Sequence, residues 1–281
     1  METRQLPILN RDEVQVAIRS TTLCGSDLHY YSHFRNGTIL VREPLCLGHE
    51  SAGEVIALGA DVTLTNPNIR VGDAVALEVG VPCGKCHLCK TERYNICAEL
   101  RFRSSGSKFP HYQGTLQERI NHPVKWVHKL PAELDYETGA LLEPLAVAIQ
   151  AVRRAELCTD PSMRSTCLIF GAGAVGLLTA VAAQAVGMEN IVMADVHQGR
   201  LEFAKDNEFA TSVYTVQPQK TSSIDEMMDL AKATAREVGE MRWPDNTPIC
   251  KVDIAFECTG IASCVQASIY VSANLDSPTH P

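Results

Sequence analysis

Four cysteines, Cys83, Cys86, Cys89 and Cys97, stand in the spacing C-x2-C-x2-C-x7-C. Thiolates this close along a chain can wrap a tetrahedral ion without a preformed scaffold, and a closed shell of four sulfurs suits a structural zinc. An iron–sulfur cluster is the chief rival, but the bacterial ferredoxin spacing ends in x3-Cys-Pro and not in x7. Lys85, Lys90 and Arg93 lie among the thiolates and offset their charge. A second donor set is dispersed. Cys24 opens the turn Cys24-Gly25-Ser26-Asp27, and His49 with Glu50 sits in Leu47-Gly48-His49-Glu50-Ser51-Ala52-Gly53. A thiol, an imidazole and a carboxylate brought together by such turns would make a second zinc site. Taken singly, each is more often a packing or surface residue.

A third pattern is glycine-based. Leu168-Ile169-Phe170 runs into Gly171-Ala172-Gly173-Ala174-Val175-Gly176, which is G-x-G-x-x-G at the junction of an apolar strand and an uncharged helical run. The first glycine makes the tight turn, the second admits a pyrophosphate and the third lets helix pack on strand. Phosphates would rest on the helix N-terminus, where free N–H groups and the positive dipole end favour anions. The next strand, Ile191-Val192-Met193-Ala194, ends in Asp195. That is about 20 residues on from the motif, where an acid accepts from the adenosine ribose hydroxyls. The carboxylate repels a 2′-phosphate and so favours NAD over NADP, although Arg200 nearby offers a guanidinium to phosphate. No charge interrupts Cys167 to Met188, long enough for a membrane span. Three early glycines, β-branched Ile169 and Gly187 as a helix stop divide it into strand and helix instead.

These sites need elements to carry them. With 281 residues, 45% hydrophobic and 21% charged, the chain has room for two globular domains. A net charge of −8 without a basic patch argues against a nucleic-acid partner. The N-terminus lacks the basic-then-apolar order of a signal peptide, so no membrane association and a cytoplasmic location are expected. Eleven cysteines, four of them clustered, fit metal binding better than a disulfide framework. Most of the others sit among apolar neighbours, as small core residues do.

Val14 to Ile18 alternates as a half-buried strand, and Glu54 to Ala57 reads as another. His111 and His122, in a loop-rich stretch, read as surface histidines, and Val124 to His128 reads as a strand. A helical run covers Thr138 to Ala155, which Pro144 should break or kink after Glu143. A link follows near Pro161-Ser162-Met163. The boundary between a domain of residues 1–150 and one of 151–281 falls ahead of that link, around Gln150 to Asp160, where the helix ends. The second domain then alternates strands (Ser212 to Val216, Val252 to Phe256) with helices (Gly199 to Asn207, Ser223 to Val238), the pattern of a doubly wound parallel sheet. Its expected strand order is 3-2-1-4-5-6.

Gly48-His49-Glu50-x-x-Gly53-x5-Gly59-x-x-Val62 resembles the zinc signature of the medium-chain alcohol and polyol dehydrogenases. Cys24-Gly25-Ser26-Asp27 resembles their first zinc-ligand turn, and Cys83 to Cys97 their structural zinc lobe. Cys24 to Tyr30, Arg42-Glu43-Pro44, Gly72 to Ala76, Leu142 to Leu145 and Glu257 to Gly260 bring it nearest to the fungal sorbitol, xylitol and arabinitol dehydrogenases.

The resemblance implies an α/β protein: a GroES-like, mostly β catalytic domain followed by a Rossmann domain. It implies a catalytic zinc on Cys24, His49 and a carboxylate from Glu50 or Glu143, the latter where alcohol dehydrogenases place a cysteine. It also implies Tyr30 near the substrate, a proton relay through Ser26 and His29, and zinc and NAD as cofactors. The expected reaction is oxidation of a polyol to a ketose. Only four strands of the Rossmann sheet are present, so the domain is expected to be incomplete at its C-terminal end, with the strand that pairs subunits in the family's homo-oligomers missing. The rival expectation is a truncated, catalytically silent protein that binds zinc and nucleotide.

Overall fold

In the computed structural model, residues 3–155, 166–219 and 223–272 are described. The linker at Pro161-Ser162-Met163, Cys158 and the segment after Ser272 lie outside them. Contacts divide the chain into two compact units, separated between Glu143 and Pro144.

The first unit is built on an antiparallel sheet of order β8-β1-β4-β5-β9. Strand β1 (Glu13–Thr22) leads into helix α1 (Gly25–His33), a two-residue hairpin of β2 (Arg35–Asn36) and β3 (Ile39–Leu40), and then β4 (Glu50–Leu58). After α2 (Val62–Thr65) come β5 (Ala74–Leu77), β6 (Gly80–Val81), α3 (His87–Lys90) and β7 (Arg101–Phe102). Strands β8 (Arg119–Pro123) and β9 (Val127–Lys129) then complete the sheet, before helix α4 (Tyr136–Ala140). Alternation in β1 sends Val14 and Val16 into a core with Val55, Val75, Leu77 and Ile120, all buried. Burying six such side chains contributes on the order of 10 kcal/mol before conformational entropy is charged against it. β1 runs antiparallel to β4, pairing Thr22 with Glu50, so the strand end before Cys24 lies beside the strand start after His49. That register brings two donor turns about 25 residues apart to one place.

Helix α5 (Leu142–Arg154) starts as α4 ends, with Leu141 between them. The break therefore precedes Glu143 and does not follow it. Pro144 lies in the first turn of α5, where its missing N–H costs nothing because no carbonyl one turn back would have received it. The strand expected over Val124 to His128 is also shorter: Val124–Trp126 is a turn of 3-10 helix, and only β9 pairs, with β5.

The second unit is a parallel sheet of order β12-β11-β10-β13, the 3-2-1-4 portion of a doubly wound sheet. Its elements are β10 (Thr166–Phe170), α6 (Ala174–Ala185), β11 (Asn190–Asp195), α7 (Gln198–Asp206), β12 (Ser212–Thr215), α8 (Ile224–Glu240), β13 (Ile254–Glu257) and α9 (Ala262–Val271). Both faces are covered. Cys167 and Ile169 pack on one side with Met193, Ala180 and Leu201. Leu168 and Phe170 pack on the other with Val192, Ala231 and Val271. That is why β10 is apolar at every position after Thr166. Helix α6 stops at Val186, followed by Gly187 at φ +96, and no helix among the described residues is long and apolar enough to cross a membrane. Among the described residues β13 is an edge of the sheet.

Candidate functional site

Donor atoms of Cys24, His49 and Glu50 all lie within 4.8 Å of one another. Cys24 precedes the first residue of α1, in extended backbone, and Glu50 opens β4. Gly48 holds φ +87, and a Cβ there would meet Leu116 N at 3.0 Å and Thr115 Oγ1 at 3.1 Å, so glycine is required for this approach.

Asp27 braces both turns: Oδ1 accepts the Gly48 N–H at 3.0 Å and Oδ2 the Cys24 N–H at 3.1 Å. Burial opposes its charge, but bonds from His49 and from the Gly48 and Cys24 amides hold the carboxyl below its usual range. A hydrogen bond with His49 lowers the Cys24 thiol, against burial. Burial by itself would lower His49, yet Asp27 and Cys24 raise it to about 10. His49 Nδ1 faces Ser104 Oγ at 2.7 Å and Asp27 Oδ2 at 3.4 Å, which leaves Nε2 open to an ion. Glu50 is buried and accepts from the Thr22 hydroxyl. A sulfur, a nitrogen and an oxygen, each oriented by other groups, fit a zinc ion.

Glu143 stands outside this trio but within its field. Burial raises its carboxyl above the usual range, His49 pulls it down, and Glu50 and Asp27 push it up. Ser26 hydrogen-bonds to Cys24. His29 is exposed with its ring 5.9 Å from that of His33, and no hydrogen bond joins it to Ser26. Tyr30 is turned inward: it is buried, and its hydroxyl meets Ser105 Oγ at 3.4 Å and the Gly106 N–H at 3.3 Å.

The four clustered cysteines converge as well, all within 4.8 Å. Cys86 Sγ is 3.5 Å from Cys89 Sγ and 3.8 Å from Cys97 Sγ, and Cys83 Sγ is 3.9 Å from Cys89 Sγ. A tetrahedron of sulfurs at a zinc–sulfur length of about 2.3 Å has edges of about 3.8 Å. The site therefore has the size of a tetrahedral zinc site, and the sulfurs are too far apart for disulfides. Amide N–H groups of Lys85 and Cys86 lower the Cys83 thiol to about 6, while burial and the neighbouring sulfurs raise Cys89 to about 12.

In the second unit Gly171 holds φ +99, and a Cβ on Gly176 would run into the Gly171 carbonyl. Gly173, at the head of α6, has open space where a Cβ would sit, as a close-approaching pyrophosphate requires. Val175 follows in the first turn of that helix. Asp195 is buried at the end of β11. Its oxygens accept the Ala172 N–H at 2.7 Å and the His197 N–H at 2.8 Å, and Arg200 reaches to 4.0 Å from it.

Two readings are corrected. His111 and His122 are buried, not surface groups. The Arg42 N–H donates to His111 Nε2 at 2.9 Å, and His111 Nδ1 donates to Lys108 O at 2.8 Å. His122 Nδ1 accepts from Arg103 Nε at 3.1 Å, and its Nε2 donates to Glu78 O at 3.1 Å. The reading of most scattered cysteines as core residues fails at Cys250, which is exposed at φ +57. Sequence reasoning also missed the functional setting of Asp27 and Ser104. An aspartate three residues after Cys24, the capping-box offset, was a signal for the first. Nothing local marks the second.

Comparison with known proteins follows the same lines. Residues 10–132 match the alcohol dehydrogenase GroES-like domain. Over 271 residues, 96% of this chain and 68% of the relative, the chain is 35% identical to D-xylulose reductase A of Aspergillus niger. This chain belongs to the medium-chain alcohol and polyol dehydrogenases. It is also 40% identical to L-arabinitol 4-dehydrogenase of Aureobasidium melanogenum, over 92% of this chain and 62% of that one. The structure of L-idonate 5-dehydrogenase from Escherichia coli superposes with a TM-score of 0.73 at 30% identity, covering 94% of this chain and 67% of that one. A zinc-binding dehydrogenase from Sinorhizobium meliloti, bound to NADP, gives 0.75 at 25% identity, covering 95% and 68%. This member of the family thus spans about two thirds of the length of its relatives.

Proposed function

We propose that this chain is a zinc-dependent polyol dehydrogenase that oxidises a secondary alcohol of a sorbitol-, xylitol- or arabinitol-type substrate to a ketose, with NAD as hydride acceptor. The observation that carries the reading is the convergence of Cys24, His49 and Glu50 within 4.8 Å, in the domain matched by the family model. Zinc bound there supplies a Lewis acid that makes a coordinated hydroxyl easier to deprotonate. Cys24, His49 and Glu50 hold it, and the second carboxylate, Glu143, borders the site. Four thiolates, from Cys83, Cys86, Cys89 and Cys97, hold a structural zinc.

The substrate proton leaves by Ser26, beside Cys24, and reaches solvent through the exposed His29, three residues along α1. Tyr30, near the substrate by the family resemblance, acts through its buried hydroxyl, which fixes the Ser105–Gly106 turn. In the second unit Gly171, Gly173, Val175 and Gly176 form the pyrophosphate cradle. Asp195 prefers the free ribose of NAD, because Arg200 is drawn towards that carboxylate and a 2′-phosphate would face the carboxylate itself.

Formation of NADH by the purified, zinc-loaded chain with sorbitol, xylitol and L-arabinitol tests the proposal. Turnover with at least one of them, and faster with NAD than with NADP, is expected. Protein that binds zinc and NAD and reduces no NAD with any polyol is instead the silent binding form.

A further inference from the structure

His49 Nδ1 faces two oxygens, and they are not equivalent. Ser104 Oγ is at 2.7 Å, a hydrogen-bond distance, whereas Asp27 Oδ2 is at 3.4 Å. The Asp27 carboxylate is already engaged by the Gly48 and Cys24 amides. Ser104 is buried and holds left-handed backbone at φ +60. An L-residue is strained there. Such conformations persist only where the surroundings over-determine them, and they cluster at functional sites. Here the Ser104 N–H donates to Tyr112 O at 2.9 Å. On one side of it, Arg103 donates to the Gln113 and Asn121 carbonyls. Phe102, just before, packs edge-on to the His49 ring at 5.2 Å between centroids.

We propose that Ser104 is the positioning residue that sets His49: its Oγ accepts the Nδ1–H and so selects the neutral tautomer whose Nε2 lone pair is free for the metal. This rests on the zinc reading of Cys24, His49 and Glu50. Asp27, 3.4 Å from the same nitrogen, supplies the charge beside the ring and also locks the Gly48 and Cys24 turns, and the strained backbone at Ser104 is what points the hydroxyl at the imidazole. A metal-binding histidine is oriented by the oxygen on its second nitrogen, and losing that oxygen typically weakens the metal about 10- to 100-fold.

Glycine separates this role from a structural one, because it favours φ +60 while removing the hydroxyl. Full-length wild type and Ser104→Gly are stripped of metal and titrated with cobalt(II), each site followed by its own absorption, and the metal-free proteins are melted. The expected result is two cobalt ions per wild-type chain. In S104G, affinity at the Cys24 site falls about 10- to 100-fold, while the four-cysteine site and the melting temperature hold or improve. If metal-free S104G melts lower than wild type, the same affinities are compared in Ser104→Ala. Two cobalt sites with unchanged affinity in the variant would overturn the role of Ser104 and leave the zinc reading standing. A wild-type chain that takes up a single cobalt, at the four cysteines, overturns the zinc reading and the proposal together.

Discussion

The two candidate metal centres of the first unit are built on opposite plans. The four-cysteine centre draws its donors from Cys83 to Cys97, all but Cys97 partly exposed, and needs little beyond the local turns around α3. The centre at Cys24, His49 and Glu50 draws on turns that only the β1–β4 register brings together, and each donor is held by a further group: Asp27, Ser104 or Thr22. A closed local shell suits an ion that stabilises a lobe. A trio of donors in which His49 and Glu50 are buried and Cys24 is partly exposed, with a coordination position left over, suits an ion that must also meet a substrate. The difference teaches that affinity at the first is a property of spacing, and at the second of the fold.

The largest expected effect follows from removing a donor of the fold-dependent centre. His49→Ala should lower polyol turnover about a thousandfold or more, since Lewis-acid assistance is worth several kcal/mol and each 1.4 kcal/mol is about tenfold in rate. Steady-state kinetics check this, and turnover within about tenfold of wild type would place the chemistry elsewhere.

The next concerns what lies behind that centre. Arg103, adjacent to Ser104, donates to His122, and burial together with the Arg103 charge pushes His122 down to about 3 from 6.5. The folded protein keeps His122 neutral while the unfolded chain takes up a proton below 6.5, so stability is present above that pH and falls as pH drops towards 3. The slope contributed is up to about 1.4 kcal/mol per pH unit. Denaturant melts between pH 7 and pH 4 should show that loss, with a shallower slope in His122→Gln. Equal slopes would assign the loss to other groups.

Asp195→Asn should give the smallest change. Losing the charge at the ribose position removes about 1–2 kcal/mol of preference, about tenfold, for NAD over NADP. Calorimetric affinities for both nucleotides measure it, and an unchanged ratio would mean that Asp195, with both oxygens already bonded to amides, does not select the cofactor.

Legibility in the sequence tracks the same division. Gly171, Gly173 and Gly176, the four-cysteine spacing and the apolar run Cys167 to Phe170 encode local geometry, so the glycine turn and the sulfur cluster could be read directly. Cys24, His49 and Glu50 could be read as possible zinc donors from their chemistry, but only a resemblance to a known family brought them together, because their convergence depends on strand pairing. His111 and His122 lay in a polar, loop-rich stretch, and their burial depends on Arg42, Arg103 and Glu78, 19 to 69 residues away. Tyr30 turns inward because the Ser105–Gly106 turn, some 75 residues on, supplies its partners. Pro144 signals a helix break, but a proline tolerated in a first turn and one that ends a helix look alike in sequence.

Metal content of the purified full chain tests the central claim most directly. The account predicts two zinc ions per wild-type chain, one in His49→Ala and one in Cys86→Ser, each variant losing only its own ion. Two ions retained in H49A would contradict it, as would a wild-type chain that holds only the ion of the four cysteines.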